Sequence, residues 1–273
     1  MTGTLYVVAT PIGNLEDLTP RAARVLGEVA LIAAEDTRQT RKLLSHLGVS
    51  ARTVSYNRHN ARQRTPAVLD TLREGDVALV TDAGAPGVSD PGAGLVAEAG
   101  RAGFDVVSVP GPSAVTAALA VAGFSADSFH FLGFLPRTTR ARRAALTEAS
   151  SLRATLVLFE APHRLRAALD DIADTLGDRP MAVCREMTKV HEEVFRGTVR
   201  EAIAYFDAPR GEFTVVIEGA RDAAPGEPLS VERIAEAMAA ARASGLSRRD
   251  AAVQVSRGLG VPRRVAYAAW EEA

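Results

Sequence analysis

Cysteine is almost absent. Cys184 is the only one in 273 residues, which excludes an internal disulfide and any zinc or iron–sulfur site built from several cysteines, and fits a reducing cytoplasm. A chain this long buries roughly three quarters of the surface it exposes when unfolded, so it needs neither staple. Long apolar runs are missing too. The N-terminal MTGTLYVVATPIGN has no basic leader and its apolar stretch stops at Thr10-Pro11, which argues against a signal peptide. The longest uncharged span, 106–126, is broken by Pro110, Gly111 and Pro112. What remains of it, Ser113 to Ala122, makes a helix roughly 15 Å long, half of a ~30 Å bilayer core, so no membrane partner is expected. Net charge is also lacking: at −1 the chain has no global basic field to recruit nucleic acid.

The charges present are nonetheless clustered. RHNARQR (58–64), RTTRARR (137–143), SRRD (247–250) and PRRV (262–265) are local basic patches, and with a Debye length of ~8 Å such patches outweigh the total. Solvated arginine-rich faces are the plainer reading of each one alone. Composition is that of an ordinary globular protein, 24% charged and 47% hydrophobic.

Strands alternate with helices through the first half. Leu5–Ala9 reads as a strand, and Thr19-Pro20 supplies an N-cap and first helical residue for Arg21 to Glu28. Leu31–Ala34 is a strand, Thr37 to Leu47 a helix stopped by Gly48. Thr65-Pro66 looks like another cap-and-proline start, before the strand Val77–Val80. Ala93 to Ala102 is helical and Phe104–Val109 a strand. This alternation implies right-handed crossovers and a mostly parallel sheet in a first α/β domain, 1–112. A second α/β domain, 113–220, has strands at Phe129–Gly133, Thr155–Phe159, Met181–Arg185, Glu193–Arg196 and Phe213–Glu218. Two of these meet across a short connection near Lys189, which predicts a hairpin and a mixed sheet. Residues 219–229 read as a linker. The remainder, 229–273, carries helical signals only: Ser230 as a cap, Ser247 with Asp250 as a capping-box-like start, and Pro262 opening a third helix. A glycine-containing turn between two short amphipathic helices resembles a helix-turn-helix.

Ligands of a parallel sheet bind where loops leave the carboxyl ends of strands. TPIGNLED, TDAGAPGVSDPG and PGPSA all sit at such ends, and Gly13, Gly84, Gly87 and Gly111 would let backbone approach a ligand closely. None is GxGxxG opening into a helix and none is GxxxxGK[ST], so dinucleotide and ATPase-type phosphate sites are disfavoured. A carboxylate such as Asp82 beside exposed carbonyls suits a ligand with cationic and amide-like groups.

LYVVATPIGNLEDLTPRA, AAEDTR, VTDAGAPGVSDPG, PGPSA, FLGFLP, EAPHRL, REMTKVHEE and GEFTVVI occur in the order seen in one bacterial family. Over nearly its whole length the sequence resembles the ribosomal RNA small subunit methyltransferase I family, within the wider tetrapyrrole methylases. The resemblance implies a two-domain tetrapyrrole-methylase-like α/β fold (class III S-adenosylmethionine methyltransferases) with a C-terminal helical extension. It also implies a homodimer and S-adenosylmethionine-dependent 2′-O-methylation of a cytidine in the 16S RNA of the small ribosomal subunit. TDAGAP stands here where many members have SDAGTP, so Thr81 keeps a hydroxyl and Ala85 lacks one. By resemblance the cofactor shell is Pro11, Asp82, Ala83, Gly84, Pro86, Ser113 and Ala114, with Glu160, Met187 and Thr214 added by the second domain. No metal is expected.

A ribose hydroxyl is a poor nucleophile, and a base or hydrogen-bond acceptor helps it. Glu35, Asp36 and Arg38 of EDTR and Lys189, His191 and Glu192 of TKVHEE are the candidates. Arg38 and Lys189 would equally serve to hold phosphates. The plainer alternatives are an Asp36–Arg38 pair capping the next helix, a loop organised by Glu160 and His163, and an Arg185–Glu186 structural pair. Arg248, Arg249, Arg263 and Arg264 flank the helix-turn-helix and are candidate RNA contacts. Two other functions fit some of these features: methylation of a precorrin-type tetrapyrrole, which needs no arginine-rich tail, and non-catalytic RNA binding.

Overall fold

The computed structural model describes residues 3–221, 231–259, 261 and 263–270. They fall into two compact units, one ending at Ala220 and one beginning at Arg221. The first unit opens with β1 (Thr4–Val8), α1 (Pro20–Glu28), β2 (Leu31–Ala34), α2 (Thr37–His46), β3 (Thr53–Ser55), α3 (Ala61–Leu72), β4 (Val77–Val80), α4 (Ala93–Arg101) and β5 (Asp105–Val109). The five strands are all parallel, in the order β3-β2-β4-β1-β5. β2 and β4 are buried along their whole length, which is why they read as unbroken apolar runs. Period-2 alternation divides them between two cores. Ile32, Ala34, Ala78 and Val80 pack with Ala22, Val25, Leu43 and Leu44 of α1 and α2, while Leu31, Ala33, Val77 and Leu79 pack with Val68, Leu72, Leu95 and Ala99 of α3 and α4.

The chain continues through α5 (Ala114–Ala122), β6 (Phe129–Phe134), α6 (Thr139–Ala149), β7 (Thr155–Glu160), α7 (Pro162–Leu176), β8 (Pro180–Arg185), β9 (Glu193–Thr198), α8 (Val199–Tyr205) and β10 (Phe213–Ile217). These strands form a second sheet in the order β6-β7-β10-β8-β9. β6 and β7 are parallel and the other neighbours antiparallel, so the sheet is mixed, as the predicted hairpin required. One face carries the side chains of α6, α7 and α8. The other packs Val157, Ala182, Cys184 and Val216 against Val115, Ala118, Leu119 and Ala122 of α5. The uncharged span is therefore divided between β5 and a nine-residue core helix, and no described helix is long and apolar enough to cross a membrane.

Thr19 caps α1 by accepting from the Ala22 amide at 3.1 Å. The Thr65-Pro66 start is overturned. The third helix begins at Ala61, five residues before the expected first helical residue, and Pro66 lies inside it. Thr65 instead donates its hydroxyl to the Ala61 carbonyl at 2.9 Å and meets Tyr56 Oη at 3.0 Å. Pro66 is the sixth residue of this helix and can donate no ladder hydrogen bond to the Arg62 carbonyl. β3, α6, α7 and α8 had no sequence-based expectation.

The second unit contains α9 (Val231–Ala243), α10 (Arg248–Leu259) and α11 (Arg263–Ala268). Ile234, Met238, Ala251, Ala252, Val255 and Ala266 form a small core of their own. Ser247 accepts from the Asp250 amide at 3.2 Å and donates to its carboxylate at 2.6 Å, the expected start of α10. The caps expected of Ser230 and Pro262 lie outside the described residues, as do 222–229 of the predicted linker.

Candidate active site

Loops from four parallel strands converge on one cavity of about 530 Å³. Ile12 comes from the loop after β1, Glu35 from β2, Asp82 to Ala85 and Val88 to Asp90 from β4, and Ser113 and Ala114 from β5. The second sheet contributes Phe134, Phe159 to His163, Met187 and Glu212 to Thr214. Adjacency of β2 and β4 brings their acidic ends together. The Asp36 amide donates to Asp82 Oδ1 at 3.1 Å, and the Asp82 amide lies 3.4 Å from Glu35 Oε2.

Two glycines make the convergence possible. A Cβ on Gly13 would sit 2.5 Å from Lys189 Cγ and 2.9 Å from the Met187 carbonyl, so only glycine lets the first loop lie against the β8–β9 turn. Gly84 has φ of 79°, a left-handed conformation that side chains resist. Its N–H and C=O both pair with Thr10 at 2.9 Å. Both of its backbone polar groups thus pair within the protein, and Gly84 presents no side chain to the cavity that it lines.

Five carboxylates line the cavity: Glu35, Asp82, Asp90, Glu160 and Glu212. No lysine or arginine joins them among the described lining residues, and His163 is the only other titratable group there. Burial raises the pKa of Glu35, against a hydrogen bond from the Asp82 backbone, and burial likewise raises Asp82. Asp90 is pushed up to about 6, by burial first and by the nearby Glu35 charge second. Glu160 is raised mainly by burial, opposed by the Ala161 amide and by Arg164. Its Oε1 accepts from Ala161 at 2.9 Å and lies 3.2 Å from Arg164 Nε, while its buried Oε2 has no partner. Thr81, also buried, sets its hydroxyl beside the Asp90 carboxylate and so opposes the rise of that group.

Asp82, Ala83, Gly84, Ser113, Ala114, Glu160, Met187 and Thr214 of the expected shell thus line one cavity, together with Glu35. Pro11 and Pro86 lie in the same loops without lining it. Asp36 and Arg38 are tied to each other. Asp36 caps α2 through the Arg38 amide at 2.8 Å and pairs with the guanidinium at 2.6 Å, and this hydrogen bonding lowers its carboxyl to about 2. Lys189 is held at 2.9 Å by both Glu186 and Glu212, and these bonds outweigh burial to raise its pKa. Glu192 accepts from the Thr188 amide at 2.9 Å, and His191 is exposed. Arg185 pairs with Glu193, whereas Glu186 pairs with Lys189. In the tail, Arg249, Arg263 and Arg264 are exposed, whereas Arg248 donates to the Tyr267 carbonyl at 3.1 Å and lies over its ring. Asp90, Phe134, Phe159 and Glu212 were missed. Asp90 had a signal, as the second aspartate of the β4 loop; Phe134 and Glu212 stand in the segments FLGFLP and GEFTVVI without a role assigned to them there, and Phe159 reads only as the end of a strand.

A family model for tetrapyrrole (corrin/porphyrin) methylases matches residues 4–203. Proteins named ribosomal RNA small subunit methyltransferase I are 44% identical in Halalkalibacterium halodurans and 46% in Synechocystis. Each aligns with 97% of this chain, which spans 93% and 96% of their lengths respectively. The chain belongs to the ribosomal RNA small subunit methyltransferase I family. A relative from Thermotoga maritima is 49% identical over 80% of this chain and 99% of its own length. Among solved structures, a uroporphyrin-III-C-methyltransferase from Thermus thermophilus superposes with a TM-score of 0.57 at 21% identity, over 79% of this chain and 94% of its own. A cobalt precorrin-4 methyltransferase gives 0.58 at 19%, with the same coverage; both likenesses speak to the fold alone.

Members of the family use S-adenosylmethionine, and the cavity suits it. That molecule carries a sulfonium, an ammonium, a carboxylate and an adenine. Five lining carboxylates, of which Glu160 and Glu212 are paired with Arg164 and Lys189, leave an excess of negative charge that favours the positive groups. Glu160 Oε2 is an unfilled acceptor. Ser113 opens α5 without a side-chain cap bond, leaving amides at a helix start that would hold a carboxylate.

Proposed function

We propose that this protein methylates the 2′-hydroxyl of a cytidine ribose in the 16S RNA of the small ribosomal subunit, in the cytoplasm and as a homodimer. The observation that carries the reading is the acid-lined cavity at the carboxyl ends of β1, β2, β4 and β5, in a chain aligned almost end to end with relatives named for small-subunit RNA methylation. When bound, S-adenosylmethionine supplies an electrophilic methyl group on sulfur. Asp82, Ala83, Gly84, Ser113, Ala114, Glu160, Met187 and Thr214 would hold it, and Pro11 and Pro86 would shape the loops from behind.

The protein's own contribution is orientation and a proton acceptor. Fixing two reactants in line lowers a barrier by on the order of 7–11 kcal/mol, and a placed base adds ~100- to 10,000-fold. Asp90 and Glu35 face the cavity and suit that second role, and the Glu35 charge adds to burial in raising the Asp90 carboxyl. Asp36, Arg38, Lys189 and Glu192 are held in pairs or caps, so they position loops, with Arg38 and Lys189 able to exchange a partner for an RNA phosphate. His191, beside them and exposed, belongs to the same rim. Arg249, Arg263 and Arg264 of the tail serve as phosphate contacts, with Arg248 securing the fold that presents them. A tetrapyrrole bearing many carboxylates is disfavoured, since the cavity already concentrates negative charge.

Small subunits lacking the modification, incubated with the protein and methyl-labelled S-adenosylmethionine, should yield labelled 2′-O-methylcytidine on nuclease digestion. Label on a base, or none at all, refutes the proposal.

A further inference from the structure

Resting on that reading, we propose that Phe134 is the platform on which the base of the acceptor nucleotide stacks, making the cavity mouth a subsite for one unpaired nucleobase. The backbone builds this platform deliberately. β6 runs in register with β7 from Phe129 to Phe131 and then slips, so that Phe134 pairs with Phe159. One extra residue is accommodated, and Gly133, with φ of 63°, lies in the slip. Such bulges re-aim a side chain. Here the slip lets Phe134 join the ring pair made by Phe131 and Phe159: the Phe131 ring lies 4.9 Å from Phe159 and the Phe134 ring 5.6 Å from it.

The slip occurs where β6 meets the β4 loop: a Cβ on Gly133 would come within 3.0 Å of Ser89 Oγ. Ser89 is flanked by Val88 and Asp90, and all three line the cavity with Phe134. Phe134 is 54% exposed and Val88 42%, an apolar rim left wet although its burial would be favourable. Phe129 is also exposed but does not line the cavity. Every base has a π-face, and proteins that act on unpaired RNA stack bases on such rings. A base seated on Phe134 carries its ribose toward the loop that holds Asp90. The donor's adenine would find a more enclosed place among Glu160, Met187, Phe213 and Thr214, which line the cavity and are buried.

The test compares F134A, F134L and F134W for methylation of unmodified small subunits and for S-adenosylmethionine affinity by calorimetry. Loss of one base stack predicts a fall in kcat/KM of about tenfold to a hundredfold for both Ala and Leu. F134W should recover most of that loss, and donor affinity should stay within about twofold in all three. Full activity of F134L shows that bulk alone is needed and overturns the platform. So does a parallel loss of donor affinity, which would assign the ring to adenine. A wild type that transfers no methyl group removes the RNA reading and the platform with it; an active wild type matched by F134A removes the platform alone.

Discussion

Asp90→Asn separates what the fold wants from what the chemistry wants. The Asp90 carboxyl is half-buried beside Glu35 and Asp82, with Arg58 the only cation nearby among the described residues. Its pKa is raised from 3.8 to about 6, so the folded protein disfavours the ionised form. Between those two values the native state binds more protons than the unfolded chain, and stability falls as pH rises. The penalty is absent below about 3.8 and complete above about 6. Converted at 1.36 kcal/mol per unit the shift amounts to ~3 kcal/mol, and solvent screening of a half-exposed group reduces this to ~1 kcal/mol. D90N removes the charge without changing the shape. It should therefore unfold in urea like the wild type near pH 4 and be more stable by ~1 kcal/mol at pH 7.5. Methyl transfer should meanwhile fall by about 100-fold or more, with donor affinity changed far less, and the wild-type rate should rise with pH through 6. A variant no more stable at pH 7.5 than at pH 4, relative to wild type, refutes the electrostatic argument. Undiminished turnover refutes the catalytic one.

Gly84→Val forces a β-branched residue into a left-handed conformation at φ 79° and strains the pair of hydrogen bonds to Thr10; calorimetry should show donor affinity weakened more than tenfold, about 1.4 kcal/mol. Space is not the cause, since a Cβ there would lie 3.6 Å from Ile12, so an unchanged affinity would mean the loop keeps its shape without glycine. Asp171→Ala leaves Arg142 buried without the carboxylate that it meets at 2.5 Å, and urea unfolding should show a loss of ~3–5 kcal/mol. Replacing Arg249, Arg263 and Arg264 by Ala should weaken subunit binding and lower its salt slope by ~0.7 per lost phosphate contact. Arg248→Ala should instead lower the melting temperature of the tail by releasing Tyr267.

Sequence patterns disclosed the parallel sheet because its strands are buried on both faces and punctuated by capped helices. β2 and β4 appear where LIAA and VALV stand. β3 stayed hidden, as a three-residue edge strand without a full alternation, and Pro66 misled because a proline near a helix start looks like a proline at one. The site was legible as far as its loops. Which side chains would meet was not. Asp36 and Glu35 are adjacent in sequence, yet one turns to cap α2 and the other faces the cavity. Phe134 depends on a one-residue slip in strand pairing, which no periodicity reveals before the partner strand is known.

The arrangement of charge also decides which step each carboxylate can help. Groups that attract a sulfonium lose that attraction as the methyl leaves and the positive charge disappears. Interactions stronger in the ground state than in the transition state do not accelerate chemistry. Glu160 and Glu212, which face the cavity from the second sheet, are therefore suited to capturing the donor and to releasing its neutral product, not to speeding transfer. The opposite holds for Asp90. A hydroxyl becomes more acidic as its oxygen bonds to carbon, so a carboxylate with a pKa near 6 holds the departing proton better in the transition state than before it. On the proposed reading, negative charge at the cavity also turns RNA phosphates away, leaving them to arginines that do not line it, such as Arg62 and Arg64, exposed on α3. A polyanion would then present a single nucleoside to the acidic site while its backbone stays outside it.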